Sequence, residues 1–260
     1  MTALLVTATV APLLAAATLR SEQVSQLVLG EGAEVLEREG EMLRVRTLLD
    51  GYQGWIAAGY VAELPLAEVE MWLAAAGWSQ GALLSDRAGV AIRVPHRARL
   101  IVESDNVVQL PDGDRGELLT GTVCSQGEMI ATALNEMPAD WAWREFAGTP
   151  YLWGGVTGAG IDCSALVQNC WLARGVTLPR DAAQQAGHGQ VIDPAGRLAG
   201  DLLFFRARES DRIGHVAILA DEEMLVHSTI DCGGMARESF ATGSRAGALL
   251  PRLVAVRRVA

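Results

Sequence analysis

Cys163 stands between Asp162 and Ser164, where the glycine-rich stretch 148–160 gives way to an apolar run with helical spacing. A cysteine in the first turn of a helix faces unpaired amide hydrogens and the positive end of the macrodipole, which favour thiolate and lower its pKa. That is the chemistry of a nucleophile, and it needs a base. His215 offers one at the head of the β-branched run Gly214 to Leu219. A short acidic turn, Ala220 to Glu223, leads on into Met224 to Ser228, so the two runs read as a hairpin. Neighbouring strands would set His227 beside His215, where it can fix the imidazole tautomer and complete a Cys–His–His triad of Cys163, His215 and His227.

The elements that must position these groups follow from patterning. Residues 1–64 are β-rich: Leu4 to Val10, Gln26 to Gly30, Ala33 to Glu37 and Leu43 to Thr47 are strand-like, with turns at Gly30, Gly40 and Gly51. Met1 to Thr18 is apolar enough for a secretory leader, but no positive charge precedes it and Pro12 interrupts it, so an ordered strand is expected. Short strands closing on Gly54-Trp55-Ile56 and Gly59-Tyr60-Val61 resemble a bacterial SH3-like barrel. Within 67–126, Val69 to Ala76 has helical potential with Gly77 as its stop, and strand-like pieces return at Gly89 to Val94 and Arg99 to Val102. This segment reads as a second SH3-like or irregular β domain with a linker helix. Helical runs at Met129 to Glu136 and Ala139 to Phe146 lead into a third segment, 130–260.

Four ordered blocks of that third segment resemble the NlpC-type papain-like cysteine peptidases. They are Pro150 to Gly155 with Asp162-Cys163-Ser164; Leu178-Pro179-Arg180 with Gln184-Gln185; Gly200 to Phe205; and Gly214 to Ile218 with His227-Ser228. Ala165 departs from the glycine usual after Asp-Cys-Ser, a change that favours helix by about 1 kcal/mol. The resemblance implies an α+β fold in which a helix-borne cysteine packs on an antiparallel sheet, preceded by one or two SH3-like barrels. It also implies hydrolysis of the γ-D-Glu–diamino acid bond in murein stem peptides.

Further site residues come from the resemblance. Tyr151, in the loop against the nucleophile, would help hold the oxyanion; its alternative is packing beside Trp153 on a core strand. In the branch acting on free stem peptides, an acid after Leu-Pro-Arg binds the ammonium of L-Ala beside the Asp162-Cys163-Ser164 segment. Here that acid is Asp181, and Asp162, Ser164 and Asp181 are the expected substrate-binding residues around the thiol. Asp181-Ala182-Ala183-Gln184 also has the form of a capping box, and both readings stand. Asp50 to Trp55 matches the context of an aromatic hydroxyl that closes the pocket in the same branch, with Tyr52 as its carrier or else as an exposed turn tyrosine.

Among 260 residues with a net charge of −10, arginine is the only basic side chain besides histidine, and no basic stripe suits nucleic acid or anionic lipid. Neither nucleic acid nor membrane is an expected partner; murein stem peptides are. The four cysteines, Cys124, Cys163, Cys170 and Cys232, have no zinc spacing, and no metal or cofactor is expected. Cys163 and Cys170 would sit about 10 Å apart on one helix, too far for a disulfide. Free thiols fit a cytoplasmic location, with secretion as the alternative.

Overall fold

The computed structural model describes residues 2–86, 88–241 and 243–259. The chain forms two compact units, Met1–Met129 and Ile130–Ala260.

The first unit opens with β1 (Thr2–Val6), β2 (Val10–Leu14), β3 (Gln23–Val28), β4 (Gly32–Glu39), β5 (Met42–Thr47), β6 (Gln53–Ala57) and β7 (Val61–Pro65). They form one antiparallel sheet in the order β3-β2-β6-β5-β4-β1-β7 around Leu4, Leu13, Leu27, Leu43, Val45 and Ile56. The run expected as a single strand from Leu4 to Val10 is broken. Thr7 and Ala8 both donate their amides to the Tyr60 carbonyl, at 2.9 and 3.2 Å, and turn the chain there. Helix α1 (Leu66–Ala75) ends as Ala76 becomes extended, and Gly77 opens the next strand rather than ending the helix.

Strands β8 (Gly77–Ser85), β9 (Ala91–Ser104), β10 (Val107–Gln109) and β11 (Arg115–Cys124) close into a barrel. It is tied to the first sheet by a buried ion pair, in which Arg97 Nε donates to Glu31 Oε1 at 2.8 Å, and by the Arg99 amide on the Leu29 carbonyl. Gly30, at φ 77°, allows this approach, since a Cβ there would lie 2.1 Å from the Arg99 carbonyl oxygen.

Helix α2 (Gln126–Ala133) leads to the second unit. There α3 (Pro138–Phe146), the two-residue strands β12 (Val156–Thr157) and β13 (Gly160–Ile161), α4 (Cys163–Ala173) and α5 (Ala182–Gln185) precede a six-stranded sheet. Its strands are β14 (Gln190–Val191), β15 (Leu202–Arg206), β16 (Ile213–Leu219), β17 (Met224–Thr229), β18 (Gly234–Ser239) and β19 (Leu253–Arg258), in the order β14-β19-β15-β16-β17-β18. Every residue of α4 is buried. Its two interior amides are therefore bonded: Gln168 Nε2 donates to the Leu178 carbonyl at 2.9 Å, and Asn169 Nδ2 to the Ala165 carbonyl at 2.9 Å. This is the expected α+β arrangement of a helix-borne cysteine on an antiparallel sheet. Among the described residues no helix is long and apolar enough to cross a membrane.

Candidate active site

Cys163 is the first residue of α4 and Asp162 is its N-cap, the Asp162 carboxylate accepting the Ala165 amide at 2.8 Å. The same carboxylate accepts Gly154 N–H at 3.0 Å and Ser164 Oγ–H at 3.1 Å, and is gripped by Arg180 through Nη1 at 3.0 Å and Nη2 at 2.6 Å. Arg180 Nη1 also donates to Ser164 Oγ at 2.9 Å. In the free site both the Asp162 and the Ser164 side chains have partners within the chain. Buried polar groups must find partners, and these two bind Arg180 and the loop that presents the cysteine. Gln185 strengthens the same frame, donating Nε2 to the carbonyls of Ser164 and Pro179, both at 2.9 Å.

The Val216 amide donates to the Cys163 sulfur, which sets the thiol against β16 one residue beyond His215. Strands β16 and β17 pair only at Ile218↔Val226 and Leu219↔Leu225. His215 and His227 are each an even number of residues from the paired Leu219 and Leu225, so they share a face of the sheet. Where the ladder ends the two rings bridge the strands, His215 Nε2 lying 2.9 Å from His227 Nδ1. Ser228, on the opposite face, donates Oγ–H to the Ile161 carbonyl at 2.7 Å and fastens β17 to the loop before α4.

Glu238 continues this chain of groups, and sequence reasoning missed it. His227 Nε2 lies 2.8 Å from Glu238 Oε2, and Arg245 Nε donates to Oε1 at 2.8 Å. In β18 Glu238 pairs with Leu225 and Ala236 with His227, so Glu238 and His227 are diagonal neighbours on one face. Burial works to raise the Glu238 pKa, but hydrogen bonds from Cys232, His227 and Arg245 outweigh it and hold the carboxyl below its usual range. An ionised carboxylate can only accept, and this settles the tautomers. His227 carries its proton on Nε2, its bare Nδ1 accepts Nε2–H of His215, and His215 is left with a bare Nδ1 as its basic atom.

Burial works against the helix-terminus effect on the thiol. Burial, followed by the adjacent Asp162 charge, pushes the Cys163 thiol up to about 12 against the favourable Val216 amide and Arg180. Burial, then the neighbouring His227 and Arg252, drives His215 down to about 3. Both shifts favour the uncharged form of the group concerned. Because the folded pKa of His215 is depressed, its contribution to stability is complete above about pH 6.5 and is lost as the pH falls toward about 3. A melting-temperature series across that window should fall with acid, and His215→Gln should flatten part of the fall.

Tyr151 is half-buried next to the thiol. Burial raises its pKa, as would charge on Cys163 or Asp162, so the phenol stays protonated and able to donate. Its backbone bridges Ile161 and donates to the Gly233 carbonyl at 2.9 Å. The alternative of a core pair with Trp153 is corrected, because Trp153 is 59% exposed. Asp181 sits at the N-cap of α5 with extended dihedrals, but its side chain makes no capping hydrogen bond; its carbonyl instead accepts the Gln184 and Gln185 amides. The capping-box reading thus fails for the side chain. Tyr52 belongs to the first unit, where it packs against the core of the β1–β7 sheet and its amide donates to Thr47 Oγ1 at 2.9 Å, so it is not an exposed turn residue.

All four cysteines are free thiols. The nearest approach to a metal donor set among the described residues is His227, Cys232 and Glu238, with donor atoms within 4.8 Å of one another. The guanidinium of Arg245 and the N–H of His227 already occupy the Glu238 oxygens that an ion would need.

Comparison with known proteins agrees with this geometry. Residues 148–244 match the NlpC/P60 family, and residues 13–59 match the bacterial dipeptidyl-peptidase SH3 domain. The chain is 42% identical over 84 residues to a γ-D-glutamyl-L-lysine dipeptidyl-peptidase of Bacillus subtilis, covering 32% of this chain and 28% of that protein. It is 29% identical over 146 residues to the Bacillus cereus protein of the same name, covering 53% and 43%. A probable endopeptidase NlpC of Escherichia coli is 35% identical over 107 residues, covering 41% and 66%. The chain thus spans less than half the length of the first two of these relatives. A crystal structure of an NlpC/P60 family protein from Bacillus cereus superposes with a TM-score of 0.80 at 20% identity, over 98% of this chain and 99% of that one, which speaks for the fold. With the thiol on its helix, the two bridged histidines on the sheet and both sequence matches in place, the chain carries an NlpC/P60 cysteine-peptidase domain preceded by a bacterial SH3 domain.

Proposed function

We propose that this protein is a cysteine endopeptidase that hydrolyses the γ-D-Glu–diamino acid bond of murein stem peptides whose N-terminal L-Ala is free, in the recycling of released wall peptides in the cytoplasm. The observation that carries the reading is the run of contacts from His215 through His227 to Glu238 on the sheet, with the Cys163 thiol at the start of α4 meeting the backbone of Val216, the residue after His215. The names of the Bacillus relatives support the choice of bond.

In this reading His215 Nδ1 takes the thiol proton as the sulfur attacks the carbonyl of the D-Glu side chain. The oxyanion is met by the Cys163 amide, which has no partner within α4, and by the Tyr151 hydroxyl. The imidazolium then protonates the departing amine, and water, activated by the same nitrogen, hydrolyses the thioester. Asp181 supplies the carboxylate for the L-Ala ammonium, a charge that intact wall lacks because the lactyl group amidates that amine.

Glu238 is a positioning residue in this scheme. Glu238→Gln should lower kcat by about 10- to 100-fold, at or below the usual contribution of general acid–base catalysis. It should also displace the acid limb of the kcat profile; a fall in melting temperature with an unchanged profile would reduce Glu238 to a structural brace.

The decisive experiment incubates the protein and a Cys163→Ala control with free L-Ala-γ-D-Glu-diaminopimelate and with its N-acetylated form, following products by mass spectrometry. Cleavage of the free peptide alone is expected. Equal cleavage of both, or preference for the acetylated form, would replace this substrate with intact wall, and cleavage of neither would remove the peptidase reading.

A further inference from the structure

A cavity of about 420 Å³ opens beside His215, walled by Tyr151, Gly214, Arg208, Asp231, Leu249 and Arg252 among others. It also takes in Arg206, and two of its three arginines are spent: Arg206 donates to Asp211 at 3.1 Å, and Arg208 is paired with Asp231. Arg252 differs. It ends the 3₁₀ turn Gly247–Arg252 immediately before β19, and its Nε is shielded from solvent with no acceptor among the described residues. A buried guanidinium N–H without an acceptor is costly, and an arriving anion would recover that cost.

The side of the site on which this cation stands sets its ligand. In amide hydrolysis by a thiol and an imidazole, the imidazole hands its proton to the departing nitrogen, so the leaving residue lies over the histidine. The cavity is on the His215 side, and the leaving residue of a stem tripeptide is an amino acid with a free carboxylate one carbon from that nitrogen. We infer that Arg252 is a carboxylate-binding subsite for the leaving diamino acid, its planar guanidinium taking the α-carboxylate in the cavity beside His215. This rests on the peptidase reading and adds to it a determinant on the leaving side of the bond, opposite the ammonium that Asp181 would hold.

The test compares kcat/KM for L-Ala-γ-D-Glu-L-Lys with that for the same tripeptide carrying a C-terminal amide, in the wild-type protein and in Arg252→Gln. The wild type should prefer the acid by about 10- to 100-fold, the worth of a charge-assisted contact. Arg252→Gln should bring that ratio close to one, with an unchanged melting profile to show that it folds. Arg252→Lys, which keeps the charge without the fork, should restore part of the preference. Equal wild-type cleavage of acid and amide, still abolished by Cys163→Ala, would overturn the carboxylate subsite and leave the peptidase reading standing. So would an Arg252→Gln protein that is slowed on both peptides with its ratio intact. Cleavage of neither peptide by the wild type would overturn both.

Discussion

Replacing Cys163 with alanine is expected to lower kcat/KM on a cleavable stem peptide by on the order of 10⁴-fold or more, while the domain still folds. The size follows from the loss of the attacking atom: what remains is oxyanion stabilisation and substrate positioning, which cannot form the thioester. The contrast is Cys170, about two turns further along the same helix and also buried. Its sulfur donates to the Pro138 carbonyl at 3.3 Å and meets Arg174 Nη1 at 3.2 Å. Cys170→Ala should cost stability and leave the catalytic rate near wild type. Steady-state kinetics on both variants, with intact-mass analysis after alkylation, separates the two thiols. If Cys163→Ala kept its activity, the nucleophile would have to be sought elsewhere.

Breaking the buried pair beneath the nucleophile should have the largest effect on stability. Asp162 and Arg180 are almost wholly inaccessible, with side chains 8% and 2% exposed. Arg180→Met would strand a carboxylate in the interior, a change that costs about 3–5 kcal/mol when a buried pair loses one member. That is a large fraction of the roughly 5–15 kcal/mol that holds a domain folded. Activity should fall as well, because the Asp162 carboxylate orients both the Gly154 loop and the first turn of α4. The double variant Asp162→Asn/Arg180→Met should recover part of the stability, since it leaves no uncompensated charge. Urea unfolding of the two variants measures the difference; equal destabilisation would mean that packing of the arginine stem, and not charge, holds this corner together.

The chemistry that could be read from the sequence was chemistry carried by neighbours in the chain. Asp162-Cys163-Ser164 announces its helix start because capping and the change to helical spacing are properties of a few consecutive residues. His215 and His227 could be paired in advance because a hairpin conserves parity: residues an even number from a matched pair share a face whatever the turn does. What the local pattern misjudged were energies and directions set by distant atoms. The thiol was expected to be acidic from its helix dipole, yet burial and the adjacent Asp162 charge, which the local pattern did not weigh, push the other way. Asp181 had the form of a cap, yet its side chain does not bond the helix it begins.

Residue types and order by themselves therefore pointed to a candidate nucleophile, base and orienting imidazole, since each rests on a pattern of ten or so residues, while the α+β plan followed from the resemblance of four ordered blocks. Only the tertiary structure decided the rest. Arg180 reaches Asp162 across an 18-residue separation, Glu238 meets His227 through the β17–β18 register, and Arg252, its Nε without an acceptor among the described residues, lines the cavity at His215. Long-range contacts of this kind depend on strand register, burial and the competition of each charge for partners, none of which is encoded in the spacing of any single segment.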